Sequence, residues 1–226
     1  MLKRKAYLLI VCFAVLCVSG APAGAGLFGF ARITSNTSDP VEAQLCVDVT
    51  SYGTNQVLFR FYNDGPAGSL YDVAVPIYSS ICDVYFDDGA LLGIAAIDNP
   101  TGVLFSQLAT PKNLCGGQNL SPPFETTSGF SADSDSPVQP NGVNPGEYVG
   151  IVFNLEPNKD FDDVISAINL GFSNPWLEDS LRIGIHVQAI GISGNSDSFI
   201  MTPVPGAVIL GMLGFGVAGL KLRKFV

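Results

Sequence analysis

The chain holds one histidine, His186, and this single imidazole limits the chemistry that can be built on it. Zinc catalysis through several histidines is excluded, because such a site needs more than one. A Ser-His-Asp triad would need His186 and a serine that no Gly-x-Ser-x-Gly motif marks. In residues 181–189 apolar and polar side chains alternate, which places His186 with Arg182 and Gln188 on the polar face of a strand. We therefore expect an exposed histidine.

Pairs of adjacent carboxylates are a second candidate for chemistry, since glycoside hydrolysis uses two acidic side chains. The pairs are Asp87 with Asp88, Asp162 with Asp163, and Glu178 with Asp179. Neighbouring side chains diverge in strands and turns. A hairpin, a helix start and a loop explain the three pairs, so we predict no catalytic residue.

Calcium binding is better supported by the sequence. Asp133 and Asp135 alternate with serines in a polar segment, and Asn141, Asn144 and Glu147 follow. Hard oxygen ligands in an acidic exported domain suit calcium, although the spacing departs from the EF-hand loop. We predict a calcium site at Asp133, Asp135 and Glu147, with a solvated loop as the alternative.

Two aromatic side chains near prolines, Phe130 and Trp176, are candidates for stacking on sugar rings. Packing in the core or in a loop is the alternative for both.

The charge distribution excludes one class of partner. Residues 26–202 contain five Lys and Arg and all twenty Asp and Glu, a net charge of −15. Nucleic acid is bound through basic side chains, so nucleic-acid binding is not expected. Anionic membrane surfaces are disfavoured for the same reason.

Three cysteines, Cys46, Cys82 and Cys115, lie between the two ends of the chain. An exported compartment permits a disulfide, but an odd number leaves one thiol free, buried or paired between chains. Their spacing matches no metal site. If a pair forms, we expect Cys82 with Cys115.

The elements that would position these residues are mostly strands. Short apolar segments rich in Val, Ile, Phe and Tyr, separated by turn residues, predict strands at 57–62, 71–78, 84–86, 91–97, 148–155 and 181–189. Asp87, Asp88 and Gly89 predict a hairpin between the third and the fourth of these strands. Residues 121–145 break the pattern and either form a functional loop or hide an element.

One helix is predicted, because Phe161, Val164, Ile165 and Ile168 fall at helical spacing. Acidic residues suit its N-terminus, and Gly171 can end it. The predicted fold of residues 26–202 is mainly β, an antiparallel β-sandwich of jelly-roll or immunoglobulin-like kind with one short helix. An N-terminal signal helix and a C-terminal transmembrane helix flank it.

The N-terminus has the three parts of a secretory signal peptide. A basic cluster at residues 3–5 is followed by an apolar run at 6–18 and small residues at 19–26. We place cleavage after Ala23 or Ala25, so that residues 1–25 form the leader.

The C-terminus, residues 203–226, combines Pro203, Val204 and Pro205 with an apolar segment at 207–220 and a basic end. Fourteen residues of helix rise about 21 Å, less than a hydrocarbon core of about 30 Å, but basic side chains at the end can snorkel. They also orient the tail with its end in the cytoplasm. Four glycines argue against the alternative of a buried core helix.

This order of proline motif, short glycine-rich apolar segment and basic end resembles a PEP-CTERM sorting signal, with Val204 in place of the glutamate. The resemblance implies recognition by an exosortase-type transpeptidase in the membrane and removal of the tail near the proline motif. Such tails are found in bacteria that make extracellular polysaccharide.

We therefore expect an exported, envelope-sorted, non-catalytic protein with a structural or adhesive role in the extracellular matrix or at the cell surface. An exosortase-like enzyme is the expected partner, and the tail anchors the chain transiently in the membrane. The alternative is a carbohydrate-binding module, stabilised by calcium, that acts on extracellular polysaccharide. No cofactor other than calcium is expected.

Overall fold

The computed structural model describes residues 25–88 and 91–203. Almost all of the predicted signal peptide, and the tail beyond Pro203, lie outside the described residues. Within the described part, none of the helices is both long enough and apolar enough to cross a membrane.

The described strands form one antiparallel sheet in the order β5-β8-β3-β2-β1-β10-β9-β4-β7-β6. The mainly β, antiparallel fold with few helices is therefore confirmed. The strands are β1 Ala25–Arg32, β2 Leu45–Tyr52, β3 Gln56–Asn63, β4 Ser80–Asp87, β5 Leu91–Asp98, β6 Phe105–Gln107, β7 Ser131–Ser134, β8 Glu147–Leu155, β9 Arg182–Ile190 and β10 Asn195–Thr202.

The sheet folds over on itself, so that its two halves face each other across one core. Phe86 of β4 packs against Phe59 of β3 and Phe153 of β8, with ring centroids 5.1 and 4.7 Å apart. β4 is a neighbour of neither β3 nor β8 in the sheet, so these contacts span the interior. Edge-on aromatic packing of this kind adds to the free energy gained from burying the rings.

The two edges of the sheet meet through one asparagine. The side chain of Asn99, just after β5, donates to the carbonyl of Phe105 in β6 and accepts from its amide, both at 3.0 Å. The carboxamide thus takes the place of a neighbouring strand's backbone. It brings the edges together and makes the sheet nearly barrel-like.

The predicted helix is present as α2, Phe161–Ser173, after a single turn, α1, Val138–Asn141. Asp160 accepts from two amides of its first turn and Asp163 completes the capping box. The prediction that Gly171 ends the helix is wrong, because the helix continues through it to Ser173. A Cβ at Gly171 would approach the carbonyl oxygen of Leu181 to 2.3 Å, so the glycine permits close packing against the start of β9.

Two local predictions, one of a hairpin and one of a strand, are wrong. β4 and β5 form no hairpin, because β4 pairs with β7 and β9 while β5 pairs with β8. Residues 71–78 form no strand. Pro76 cannot donate to a ladder, and Val75 is 85% exposed, so this segment has neither the hydrogen bonds nor the burial of a strand.

The interruption at residues 121–145 contains an element that periodicity did not reveal, the four-residue strand β7. Its sequence, Ser-Ala-Asp-Ser, has a single apolar residue. Residues 108–125 form a covering segment over the outer face of β4 and β9. Tyr85, Ala109, Leu114 and Phe124 bury a second, smaller apolar cluster beneath it.

Both ends of the described chain leave the sheet at the same end of the barrel. The start of β1 and the end of β10 run antiparallel, with Gly29 opposite Thr202. α2 covers this end, where Phe28 of β1 packs against Phe172 at 5.7 Å. The turn between β9 and β10 lies at the opposite end.

Candidate functional site

Asp133, the first predicted calcium ligand, lies in β7 directly opposite Asp83 of β4. Its Oδ2 accepts a hydrogen bond from the Thr110 amide at 3.2 Å. Burial and the neighbouring Asp83 carboxylate raise the pKa of Asp133 to about 6. The side chain is therefore held under the covering segment and is not part of an open loop.

The other two predicted ligands are engaged elsewhere. Glu147 starts β8, and its Oε2 accepts from the amide and the side chain of Asn144 at 2.8 and 3.0 Å. Asp135 is exposed, and its amide bonds to Leu104. Among residues 25–88 and 91–203, no group of three or more His, Cys, Asp and Glu side chains is placed to hold a metal ion. The predicted trio is thus not brought together.

His186 is half-buried, contrary to the expected exposed position, because the covering segment lies over its face of the sheet. Its Nδ1 is 3.0 Å from Oδ2 of Asp83. Ser198 of β10 lies opposite His186, and its Oγ has no hydrogen-bond partner in the described structure. This order of side chains resembles a catalytic triad, but Ser198 is only 1% exposed. No substrate can reach that hydroxyl, and the row is better described as a buried polar cluster.

No disulfide joins the cysteines of the described region. The Cys82 thiol is buried and donates to the carbonyl of Ser80, Cys46 is also buried, and Cys115 is exposed in the covering segment. The expected pair of Cys82 and Cys115 is not formed. Burial places Cys82 inside β4, away from the surface on which Cys115 lies.

A partly exposed aromatic pair stands on the outer face of the other half of the sheet. Tyr62 of β3 is directly opposite Tyr148 of β8, with ring centroids 5.6 Å apart and planes tilted by 45°. Strand alternation explains the placement. Phe59 and Phe61 point into the core, so Arg60 and Tyr62 point outward.

Arg60 lies on the sheet between this tyrosine pair and two carboxylates. Its guanidinium lies over the Tyr148 ring, 5.0 Å from the centroid. Asp48 of β2 is directly opposite Arg60. On the other side, Gly150 pairs with both Arg60 and Asp98 of β5. We call this surface the tyrosine face, and its members are Asp48, Arg60, Tyr62, Asp98 and Tyr148.

Gly150 permits close packing in the tyrosine face between Arg60 and Asp98. A Cβ at this position would lie 3.0 Å from Cβ of Asp98 and 3.0 Å from Leu58. The absence of a side chain therefore lets Asp98 and Leu58 pack closely against the backbone of β8. Nε of Arg60 is buried and has no hydrogen-bond partner among the described atoms, so the outer nitrogens of the guanidinium are the ones that can reach a ligand.

The charge states of the face follow from its packing. Burial acts to lower the pKa of Arg60, but the hydrogen bond with Tyr62 and nearby groups, Asp98 among them, raise it overall. Burial raises the pKa of Tyr62, so its phenol stays neutral and can both donate and accept. The pKa of Asp48 is raised by burial and lowered in part by Arg60. The face therefore offers donors and acceptors around two aromatic rings.

The aromatic candidates from the sequence have different positions. Phe130 packs against the core, 5.2 Å from Phe153, and is not a stacking platform. Trp176 is 69% exposed in the connection after α2. The tyrosine face was not predicted. The sequence shows the alternation around Arg60 and Tyr62. It does not show that β3 pairs with β8, which is what places Tyr62 beside Tyr148.

Comparison of the chain with models of known protein families, with curated protein sequences and with solved structures found no match.

Proposed function

We propose that this chain is an exported, non-catalytic, structural or adhesive protein of the extracellular matrix or cell surface, whose β domain adheres by binding polysaccharide. The tyrosine face carries this proposal. Two adjacent aromatic rings on a sheet surface, flanked by an arginine and two carboxylates, form a site for a polyhydroxylated ring.

The chemistry of a sugar fits this arrangement in two ways. The C–H groups on one side of a pyranose are apolar and pack against the partly exposed rings of Tyr62 and Tyr148. Its hydroxyls bond to the guanidinium of Arg60 and to the carboxylates of Asp48 and Asp98. Because the rings are tilted by 45°, a chain of sugars would follow a curved path over them.

Charge selects the class of polysaccharide. The tyrosine face has one cation between two anions, and residues 26–202 carry −15 overall. A polyanionic glycan would be repelled by this field. We therefore expect a neutral polysaccharide as the ligand.

Affinity electrophoresis tests the proposal. In native gels that contain a neutral polysaccharide, the chain should be retarded, whereas gels with an acidic polysaccharide should leave its mobility unchanged. Unchanged mobility with every neutral glycan of a panel that includes α- and β-linked glucans, mannans and galactans would contradict it.

The proposed location of the protein follows from the two ends of the chain. The leader exports the chain, and the PEP-CTERM-like tail presents Pro203, Val204 and Pro205 to an exosortase-like enzyme. Mass spectrometry of the native C-terminus in envelope and medium fractions tests this. A terminus near Pro205 outside the cell supports processing, and an intact Val226 in the membrane contradicts it.

Calcium stabilisation through Asp133, Asp135 and Glu147 stays a prediction. Melting the protein with calcium and with EDTA tests it, since a ligand that binds only the folded state raises the midpoint. An unchanged midpoint would contradict it.

For the finer fold class we keep the proposal of a β-sandwich related to jelly rolls or immunoglobulin domains. The facing halves of the sheet support it. In this protein the two facing layers belong to one continuous sheet, whose edges nearly close at Asn99.

A further inference from the structure

The connection between α2 and β9, residues 174–180, displays two apolar side chains at the surface. Trp176 is 69% exposed and Leu177 is 48% exposed. The connection is folded, because the Leu177 amide bonds to Asn174 at 3.2 Å and the Ser180 amide bonds to Leu177 at 3.0 Å. Trp176 and Leu177 are thus held outward by structure.

Strand pairing places this connection at the end of the barrel where the chain leaves for its tail. Ile200, two residues before the end of β10, is opposite Gly184, two residues after the start of β9. Thr202 and the connection before Arg182 therefore lie at the same end. α2 covers this end as well, since its Ala167 carbonyl accepts from the Leu181 amide at 2.9 Å.

The length of chain beyond the structure limits how far this end can lie from a membrane. Residues 204–206 separate the described domain from the apolar segment that starts at Ala207. Three residues span about 10 Å at most. If the apolar segment is in the bilayer, the end that carries Trp176 must lie at the headgroups.

We infer that, in the tail-anchored form, Trp176 and Leu177 insert into the interfacial region of the outer leaflet and seat the domain on the membrane. Tryptophan favours this zone, because its ring is apolar and its N–H can bond to headgroups. The inference rests on the proposed anchor role of the tail.

The carboxylates near Trp176 and Leu177 indicate which lipid headgroup charge this surface can contact. Glu178 and Asp179 follow directly and are exposed, and α2 begins with further carboxylates at Asp160, Asp162 and Asp163. Anionic headgroups would be repelled. Zwitterionic phosphatidylcholine is therefore the favoured surface.

Trp176 is the only tryptophan in the chain, so its fluorescence reports this contact without labelling. We would reconstitute the full chain into phosphatidylcholine vesicles and compare them with vesicles of bromine-labelled phosphatidylcholine, a contact quencher. We expect blue-shifted emission and a loss of intensity with the brominated lipid. Vesicles rich in phosphatidylglycerol should reduce both effects.

Two variants separate the inference from its premise. Leu177→Asp should weaken quenching by brominated lipid while the chain still sediments with vesicles. Ile192→Asp, at a fully exposed site in the turn at the other end of the barrel, should leave the quenching unchanged.

Failure of the full chain to sediment with vesicles would contradict the anchor. Sedimentation without quenching would leave the anchor standing and overturn the inference. Protection of Trp176 by a soluble oligosaccharide in place of lipid would also overturn it, as would a blue shift that depends only on protein concentration.

Discussion

The guanidinium of Arg60 lies over the ring of Tyr148, with its central carbon 5.0 Å from the ring centroid. The two residues come from neighbouring strands, β3 and β8, and Tyr62 stands beside them on the same face. Cation–π contact fixes the guanidinium against the sheet and limits its rotamers. A binding surface with ordered side chains loses less conformational entropy when a ligand binds.

Asp197 should be among the most important carboxylates for stability. It is buried, 3.3 Å from Arg32, and accepts from Thr34 Oγ1 at 2.7 Å and from the Asn36 amide at 2.8 Å. Asp197→Ala leaves these donors without an acceptor and removes one of the two carboxylates that pair with Arg32, so we expect a loss of about 3 kcal/mol in the free energy of unfolding. Urea denaturation measures it.

Asp179→Ala is the matched control, because this carboxylate is exposed, and its effect should stay within about 0.5 kcal/mol. Equal unfolding midpoints for the two variants would show that the Arg32–Asp197 cluster contributes nothing.

Asp133 should make the protein more stable in mild acid. Its pKa is raised to about 6 in the folded state, above the ordinary value of 3.8, so the folded state binds this proton more tightly. This contribution is fully present below pH 3.8 and is lost as the pH rises through 6. Asp133→Asn removes the term, and the variant should gain about 1 kcal/mol over the native protein at pH 7, after allowance for solvent screening.

Thermal unfolding between pH 4 and pH 8 measures the difference. The gain of Asp133→Asn over the native protein should shrink towards pH 4. A constant gap across the pH range would contradict the proposed titration.

Gly171→Ala should destabilise the protein although it replaces a glycine within a helix. Such a change usually stabilises by about 1 kcal/mol. Here the new Cβ would lie 2.3 Å from the carbonyl oxygen of Leu181, so α2 or the start of β9 must shift. Ser166→Ala, at an exposed position of α2, should have the opposite sign. The two thermal midpoints decide the question, and a raised midpoint for Gly171→Ala refutes the close packing.

Cys115 should be the only described thiol that reacts in the folded protein. It is exposed, whereas Cys46 and Cys82 are buried. Burial raises the pKa of Cys82 to about 12 and also raises that of Cys46, so both remain protonated and unreactive. In a chain carrying Cys12→Ser and Cys17→Ser, a thiol reagent should label one cysteine in the native state and three in urea. Labelling of fewer than three in reduced, denatured protein would indicate a covalent block at one of them.

The local elements of this fold were largely predictable, because β9 and α2 each have a clear apolar period, and β3 and β8 are short apolar segments next to turn residues. Their partners were not. Asp88 and its neighbours suggested a hairpin, yet β4 is buried on both faces and takes β7 and β9 as neighbours instead. Pairing between strands that are far apart in the sequence decides whether such a hairpin forms. This pairing cannot be recognised from a single sequence.

The candidate site shows the same division. Tyr62 and Tyr148 each lie at an outward position that alternation predicts, but only the register of β3 with β8 makes them neighbours. The predicted calcium ligands Asp133 and Glu147 are near each other in sequence, and the structure places them in β7 and β8, strands from opposite halves of the sheet. Calcium binding through them stays a prediction.

Alanine substitution at the tyrosine face, followed by affinity electrophoresis, tests the central claim most directly. In gels that contain the neutral polysaccharide that retards the native chain, Tyr62→Ala and Tyr148→Ala should each weaken binding about tenfold, or about 1.4 kcal/mol. Tyr78→Ala, at an exposed tyrosine outside the face, should be retarded like the native chain. Retardation of both face variants equal to that of the native chain would contradict the assignment of the tyrosine face as the polysaccharide site.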